Sequence, residues 1–236
     1  MTLRALLVLA VTLAFAISPV FTPGFGGFRP DQFPVPLDNP PVQPAGYAFS
    51  IWGVIYLWLT VSAAFGLWQR RDDPDWDATR LPLLVSLAVG AIWLAVAVNS
   101  AIWATILIWV MLAGALVALI RTPRQDLWLL RAPIGLYAGW LTAASSVSLG
   151  LIAPGWGVPP LGAQGWAIVA LSIGLALGIA ILRVRASLLY GIAIVWALVA
   201  VTVRNGVDLV GLFALVAAVV VAGATLRQLG LQRAED

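Results

Sequence analysis

Eight apolar runs of about 20 residues follow one another along the chain, and no charged residue lies deep inside any of them. A helix needs roughly 20 apolar residues to cross the hydrocarbon core of a bilayer, which is about 30 Å thick. The runs cover residues 3–21, 48–69, 81–98, 101–120, 134–153, 165–183, 186–203 and 208–226. The predicted fold class is therefore all-α, a polytopic membrane helix bundle with about eight transmembrane helices.

The composition excludes several other classes of protein. Hydrophobic residues make up 62% of the chain and charged residues only 10%, against about 25% charged in a soluble domain. The chain has no His and no Cys, which removes disulfides, thiolate nucleophiles and Cys/His metal sites. An enzyme is disfavoured, since a catalytic role would have to use loop aspartates such as Asp31, Asp38 or Asp72.

The basic residues predict how the chain is oriented. All thirteen are arginine. If the eight runs alternate in direction, eleven arginines fall on one side and only Arg29 and Arg204 on the other. The positive-inside rule then places the N- and C-termini in the cytoplasm, in a membrane of the bacterial inner or plasma type. The net charge of +3 is scattered over short loops, so we expect no nucleic-acid partner.

The first run has two interpretations. Arg4 precedes it, and Ala14, Phe15 and Ala16 resemble the cleavage site of a signal peptide. The run nevertheless continues apolar to Phe21, and the distribution of arginines is consistent with a retained helix.

Residues 22–47 differ from the other connections. They contain seven prolines, which exclude a regular helix, and phenylalanines punctuate the segment and its start. These are Phe21, Phe25, Phe28 and Phe33. The segment is either a stiff surface loop whose rings dip into the lipid interface or a lid over the mouth of a pocket in the bundle.

Four aspartates lie between Arg70 and Arg80, in the sequence RRDDPDWDATR. Their spacing fits no EF-hand loop. We therefore predict a solvated, self-neutralising loop, in which Trp76 belongs to the loop or to the interfacial belt of aromatic residues.

Polar and aromatic residues inside the runs form the candidate binding site. Trp52 and Tyr56 are four residues apart and share a helix face, and Tyr137 and Trp140 lie on one stripe. Core packing explains such stripes as readily as a pocket for a flat apolar ligand does. Asn99, Thr142 and Ser145 are candidates for orienting a polar edge of the ligand, and the further aromatic candidates are Tyr47, Phe49 and Trp103.

Two stretches carry a resemblance to a known family. Residues 44–56 read PAGYAFSIWGVIY and residues 137–144 read YAGWLTAA. They resemble the TspO/MBR family of tryptophan-rich sensory or translocator proteins, and Asn99 with Trp103 resembles that family's Asn/Trp element. The resemblance implies a five-helix bundle over residues 1–153, with residues 22–47 as the lid of a ligand pocket. Residues 154–236 would add three further transmembrane helices.

The resemblance also implies a function. It points to a receptor for a flat hydrophobic ligand of the porphyrin, sterol or isoprenoid class. Such a receptor would either sense the ligand or translocate it. No cofactor is required, a porphyrin or other tetrapyrrole would be a ligand, and Arg29 is the candidate partner for porphyrin carboxylates. The alternatives are a transporter of a small neutral or lipidic solute and a lipid- or isoprenoid-modifying enzyme. Gly174 and Gly178 form a GxxxG step for close helix packing, and a homodimer is a further expectation.

Overall fold

The structure, a computed structural model, describes residues 1–22 and 25–235, and of residues 232–235 the backbone only. The described part contains eight α-helices, each long and apolar enough to cross a membrane. These are α1 (Thr2–Phe21), α2 (Ile51–Trp68), α3 (Pro74–Ala97), α4 (Ala101–Ile120), α5 (Ala132–Gly155), α6 (Ala163–Val184), α7 (Leu188–Asn205) and α8 (Leu209–Glu235). The prediction of an all-α bundle with eight membrane spans is confirmed.

Three short helical segments lie outside these spans. A 3-10 turn covers Pro30–Gln32, a second 3-10 segment, Gly46–Ser50, leads into α2, and a π-helical turn, Leu127–Arg131, leads into α5. The second 3-10 segment continues directly into α2 and the π-helical turn continues directly into α5, so each lengthens the helix that follows it.

The predicted loop over residues 70–80 is wrong in its second half, because α3 begins at Pro74. The Asp73 carboxylate accepts hydrogen bonds from the backbone N–H groups of Asp75 (2.9 Å) and Trp76 (3.3 Å) and so caps the helix. Proline suits the first helical position, because its missing N–H would have no partner there. Trp76 is only 3% exposed, so its prediction as a loop or belt residue is also wrong.

Helices α1 to α5 form a closed ring. In spatial order α1 contacts α2, α2 contacts α5, α5 contacts α4, α4 contacts α3, and α3 returns to α1. The ring encloses an interior at the end where residues 25–50 cross the bundle. We call this end the lid end, and the opposite end, which carries most of the arginines, the arginine end.

Helix α5 is surrounded by protein. Every residue from Leu130 to Thr142 is buried. α2 and α4 contact α5 within the ring, α6 and α7 contact it from outside, and α8 contacts both α6 and α7. The three C-terminal helices therefore pack directly on the central helix of the ring. The division of the chain at about residue 153 stays a prediction.

Small residues make these helix contacts close. A Cβ at Gly174 would lie 2.7 Å from Ser146 Oγ on α5, and one at Gly178 would lie 3.0 Å from Ile194 on α7. The GxxxG step is thus used for packing within the chain.

The arginine end is held together by a polar network around Asp126. Its carboxylate accepts hydrogen bonds from Arg70 Nε (2.8 Å) and from the indole N–H of Trp76 (2.9 Å). The hydrogen bond from Arg70 lowers the pKa of the Asp126 carboxyl group, and the hydrogen bond from Trp76 acts in the same direction. The network joins the start of α3 to the connection between α4 and α5.

Replacing Asp126 with asparagine should lower the midpoint of thermal unfolding of the detergent-purified protein by about 2–4 °C at neutral pH. A carboxylate whose pKa is lowered by folding stabilises the fold above its ordinary pKa, and this contribution is lost as the pH falls through the lowered pKa. The difference between Asp126→Asn and wild type should therefore shrink below about pH 4. Asp72→Asn is the control, because Asp72 pairs with Arg71 at the surface. A difference that does not change with pH would contradict the prediction.

Candidate functional site

Phe15 on α1 lies at the centre of an aromatic cluster inside the ring. Its ring packs edge-on against Trp52 (centroids 5.8 Å apart), Tyr56 (5.0 Å) and Tyr137 (5.7 Å). Such edge-to-face contacts are favourable because the positive edge of one ring meets the negative face of another. The cluster thus joins α1, α2 and α5.

Trp52 connects the two predicted pairs of aromatic residues. It stacks on Tyr56 with an interplanar angle of 18°, and its centroid lies 6.1 Å from that of Trp140 on α5. Phe49 packs edge-on against Trp140 at 5.9 Å. The structure therefore brings together five of the predicted site residues, including Tyr137.

The hydroxyl of Tyr137 has a partner away from this aromatic surface. Ser86 Oγ donates to the carbonyl oxygen of Met111 (2.6 Å), which can only accept. The 2.9 Å contact between Ser86 Oγ and the Tyr137 hydroxyl is therefore donated by Tyr137. Tyr137 is fixed by this hydrogen bond between α5, α3 and α4.

Two adjoining cavities lie beside the cluster at the lid end, with volumes of about 230 and 70 Å³. Together they lie near the lower end of the range for small-molecule sites, about 300–1,000 Å³. Phe25, Phe49 and Trp93 line both cavities. The larger is also lined by Phe15, Pro19, Thr22, Trp52, Tyr56, Gly90, Leu94 and Met111, and the smaller by Gly27, Phe28, Gln43, Pro44, Ile108, Trp140, Ala143, Ala144, Val147, Ser148, Leu151 and Ala197.

The proline-rich segment covers these cavities, as the lid interpretation predicts. Phe33 is 6% exposed and packs against Gly155 at the end of α5 and edge-on against Trp156. Phe25 packs against Trp93 at 5.3 Å, and Phe28 also lines the smaller cavity. Pro23 and Gly24 of this segment lie outside the described residues.

Two hydrogen bonds attach the end of the lid, at Ala45 and Ala48, to helix α7. The backbone N–H of Ala45 donates to the carbonyl oxygen of Ala200 (3.0 Å), and the indole N–H of Trp196 donates to that of Ala48 (3.0 Å). Ala197 of the same helix lines the smaller cavity. These contacts of α7 could not be predicted from the sequence, because they depend on how α7 packs beside the lid in the tertiary fold.

Trp140 carries the most informative polar group in the site. The side chain lines the smaller cavity and the residue is 2% exposed, and its indole N–H has no hydrogen-bond partner among the described residues. A buried N–H that stays unpaired costs about 1–3 kcal/mol. An acceptor on a bound ligand would remove this cost.

The other predicted site residues lie apart from the cavities. Asn99 and Trp103 are exposed around the turn between α3 and α4, and the Asn99 amide donates to the carbonyl oxygen of Ala95. Tyr47 is exposed and packs against Trp196. None of these residues lines either cavity.

Thr142 and Ser145 are buried on other sides of α5. Thr142 Oγ1 donates to the carbonyl oxygen of Ala138 (2.9 Å) and accepts from the hydroxyl of Tyr190 on α7 (3.0 Å). Ser145 Oγ donates to the carbonyl oxygen of Ile108 on α4 (3.3 Å). The polar groups of both residues are thus engaged in packing between helices.

Arg29 forms an ion pair with Asp31 (3.0 Å) at the protein surface. It lines neither cavity, and among the described residues that line the two cavities none is charged.

The bundle and its site define an integral membrane protein with a lid-covered cavity lined by aromatic residues. The model of the TSPO-like protein family matches residues 5–227. The chain therefore belongs to the TSPO-like family, and the match extends from α1 into α8. Neither the comparison with curated proteins nor the comparison with solved structures gives a match.

Proposed function

We propose that this TSPO-like membrane protein is a receptor for a flat apolar ligand that occupies the two lid-end cavities. The observation that carries the proposal is the buried, unpartnered indole N–H of Trp140 in a wall that is mostly apolar and rich in aromatic rings. The rings of Trp52 and Phe49 would contact the face of the ligand. The indole N–H would donate a hydrogen bond to its acceptor, such as a hydroxyl or ketone oxygen.

The ligand we propose is neutral, because burying an unpaired charge is costly. The described residues that line the cavities carry no charge, and Arg29 is already paired with Asp31. A sterol or isoprenoid with one polar group fits this lining better than a porphyrin with two ionised carboxylates does. A porphyrin remains the probe that tests this argument.

The orientation and the output of the receptor belong to the same proposal. Eleven of thirteen arginines belong to the arginine end, so this end would face the cytoplasm of an inner or plasma membrane. The ligand would then bind in the half of the bundle away from the cytoplasm. Ligand flux in proteoliposomes would identify a translocating rather than a sensory output. The homodimer stays a prediction.

Replacing Trp140 with phenylalanine should weaken binding of dehydroergosterol, a fluorescent sterol, about three- to tenfold, since it removes the N–H and keeps a ring. Trp140→Ala should weaken binding further, because it also removes the aromatic surface. Energy transfer from tryptophan to the sterol measures the affinity. Trp68→Phe is the matched control, because Trp68 is 81% exposed at the arginine end and should leave the affinity unchanged. Equal affinities of the wild type and the three variants would contradict a ligand site at Trp140.

Protoporphyrin tests the preference for a neutral ligand in the same assay. We expect the wild-type protein to bind the sterol more tightly than protoporphyrin. Tighter protoporphyrin binding that depends on Trp140 would retain the site but overturn the neutral ligand.

A further inference from the structure

A separate cavity of about 320 Å³ lies at the arginine end of the bundle. It is formed by the connection between α4 and α5, the beginning of α7 and Leu229 of α8. Two of the residues that line it are Arg124 and Arg131, and Ala186 and Ser187, which directly follow Arg185, line it as well. This cavity shares no lining residue with the two lid-end cavities.

Arg131, which lines this cavity, and Arg185, which lies next to two of the lining residues in the sequence, both donate to neutral groups. Arg131 is 8% exposed, and its guanidinium donates to Thr122 Oγ1 (3.2 Å) and to the carbonyl oxygen of Pro123 (2.5 Å). Arg185 donates twice to the carbonyl oxygen of Ile120 (3.1 and 2.7 Å). Among the described carboxylates none forms an ion pair with Arg131 or Arg185.

The arginines also act on one another. Burial lowers the pKa of Arg185, and the nearby charge of Arg124 lowers it further. Positive charges that are partly withdrawn from water and close to one another repel each other. A bound anion would offset this repulsion and accept charge-assisted hydrogen bonds from the guanidinium groups.

The other walls of the cavity are apolar and reach the outer surface. Leu127, Leu188 and Trp128 line it and are exposed, Trp128 at 65%. Trp128 stacks on Trp58 with centroids 6.2 Å apart, and the Trp58 indole N–H donates to the Trp128 carbonyl oxygen (2.9 Å). Paired tryptophans beside a charged connection are typical of the membrane interface. The cavity thus combines a cationic base with an apolar opening toward lipid.

We propose that this cavity is a binding site for the phosphate headgroup of an anionic membrane lipid. Arg124 and Arg131 would hold the phosphate oxygens, and an acyl chain would run along Leu188 and Leu127 into the bilayer. Basic pockets between helices on the cytoplasmic side of a membrane suit such headgroups, because the anionic lipids of that leaflet supply the charge. A free phosphate has the same charge but makes no use of the exposed leucines.

Native mass spectrometry of the full chain in detergent, titrated with phosphatidylglycerol, tests this site. Wild-type protein should retain one phosphatidylglycerol at concentrations where it retains no phosphatidylcholine. Arg124→Gln should weaken retention about fivefold, as expected for the loss of one arginine near an anionic headgroup. Arg183→Gln is the matched control, because Arg183 is exposed at the same end and does not line the cavity. Equal retention in the two variants would overturn the proposal.

Two further measurements distinguish the source of the phosphate and exclude a folding defect. Leu188→Asn should weaken retention of phosphatidylglycerol, and inorganic phosphate at millimolar concentration should not displace the lipid. Displacement by inorganic phosphate, with no effect of Leu188→Asn, would assign the site to a soluble anion and overturn the lipid proposal. Arg124→Gln should bind dehydroergosterol like the wild type, because Arg124 lies outside the lid-end cavities. Loss of sterol binding in this variant would contradict a separate site.

Discussion

Replacing Gly139 with leucine is expected to force α7 away from α5 and to destabilise the bundle. A Cβ at this position would press against the carbonyl oxygen of Tyr190 and lie 2.9 Å from the Cβ of Ala193. A backbone carbonyl cannot rotate away as a flexible side chain can, so the two helices would have to separate. Overpacking of this kind costs about 3 kcal/mol or more.

The loss should appear as a decrease of about 6–12 °C in the midpoint of thermal unfolding, measured by size-exclusion chromatography of heated samples. Gly53→Leu is the control, because a Cβ at Gly53 on α2 would meet no atom within 4 Å. Sterol binding should also fall in Gly139→Leu, since Trp140 follows directly in the sequence. A normal unfolding midpoint in this variant would mean that α5 and α7 are further apart than the structure shows.

Replacing Phe33 with alanine is expected to release the lid without unfolding the bundle. The ring is buried against Gly155 and Trp156, and truncating a buried phenylalanine costs about 3–5 kcal/mol. The neighbouring backbone N–H of Val35 donates to the carbonyl oxygen of Gly155 (2.9 Å). This hydrogen bond should break whenever the lid opens.

Hydrogen exchange at Val35 measures this opening directly. A loss of about 3 kcal/mol should accelerate exchange roughly a hundredfold, while amides in the centre of α5 keep their protection. The affinity of Phe33→Ala for dehydroergosterol should also fall, because the lid closes the cavities. Phe21→Ala is the control, since Phe21 is 82% exposed. Unchanged exchange at Val35 in Phe33→Ala would show that other contacts hold the lid closed.

The number of spans could be predicted from the sequence because crossing a bilayer is a constraint on length and polarity along one segment. Helix ends were harder to predict. The start of α3 at Pro74 depends on the Asp73 cap, and the charges that follow it made the segment resemble a loop. The first turns of this helix tolerate charge because Asp77 pairs with Arg4 and Arg80.

Periodicity predicted part of the site. Trp52 with Tyr56 and Tyr137 with Trp140 share helix faces by their spacing alone, and the structure brings both pairs into one cluster. Phe15 was missed, because in a run of apolar residues nothing local shows which one faces the interior. Its position in the cluster is set by the packing of α1 on α2 and α3.

Asn99 and Trp103 were predicted as site residues, but neither lines the cavities. Their residue types resemble a family element, but Asn99 lies in the turn between α3 and α4. Its amide donates a hydrogen bond to the carbonyl oxygen of Ala95. The direction of a side chain near a turn depends on where the helix ends. The sequence predicted this boundary only approximately.

The enclosure of α5 also bears on how the protein is made. Its span has the lowest mean hydropathy of the eight, and it carries Thr142, Ser145 and Ser146 near its middle. A helix that meets lipid on one side needs an apolar face there, whereas a helix enclosed by other helices does not. During synthesis α5 precedes the helices that cover its outer side, so a nascent chain that ends before α7 exposes Gly139 and Thr142. The side of α5 that packs on α6 and α7 is therefore covered by helices that are translated after it.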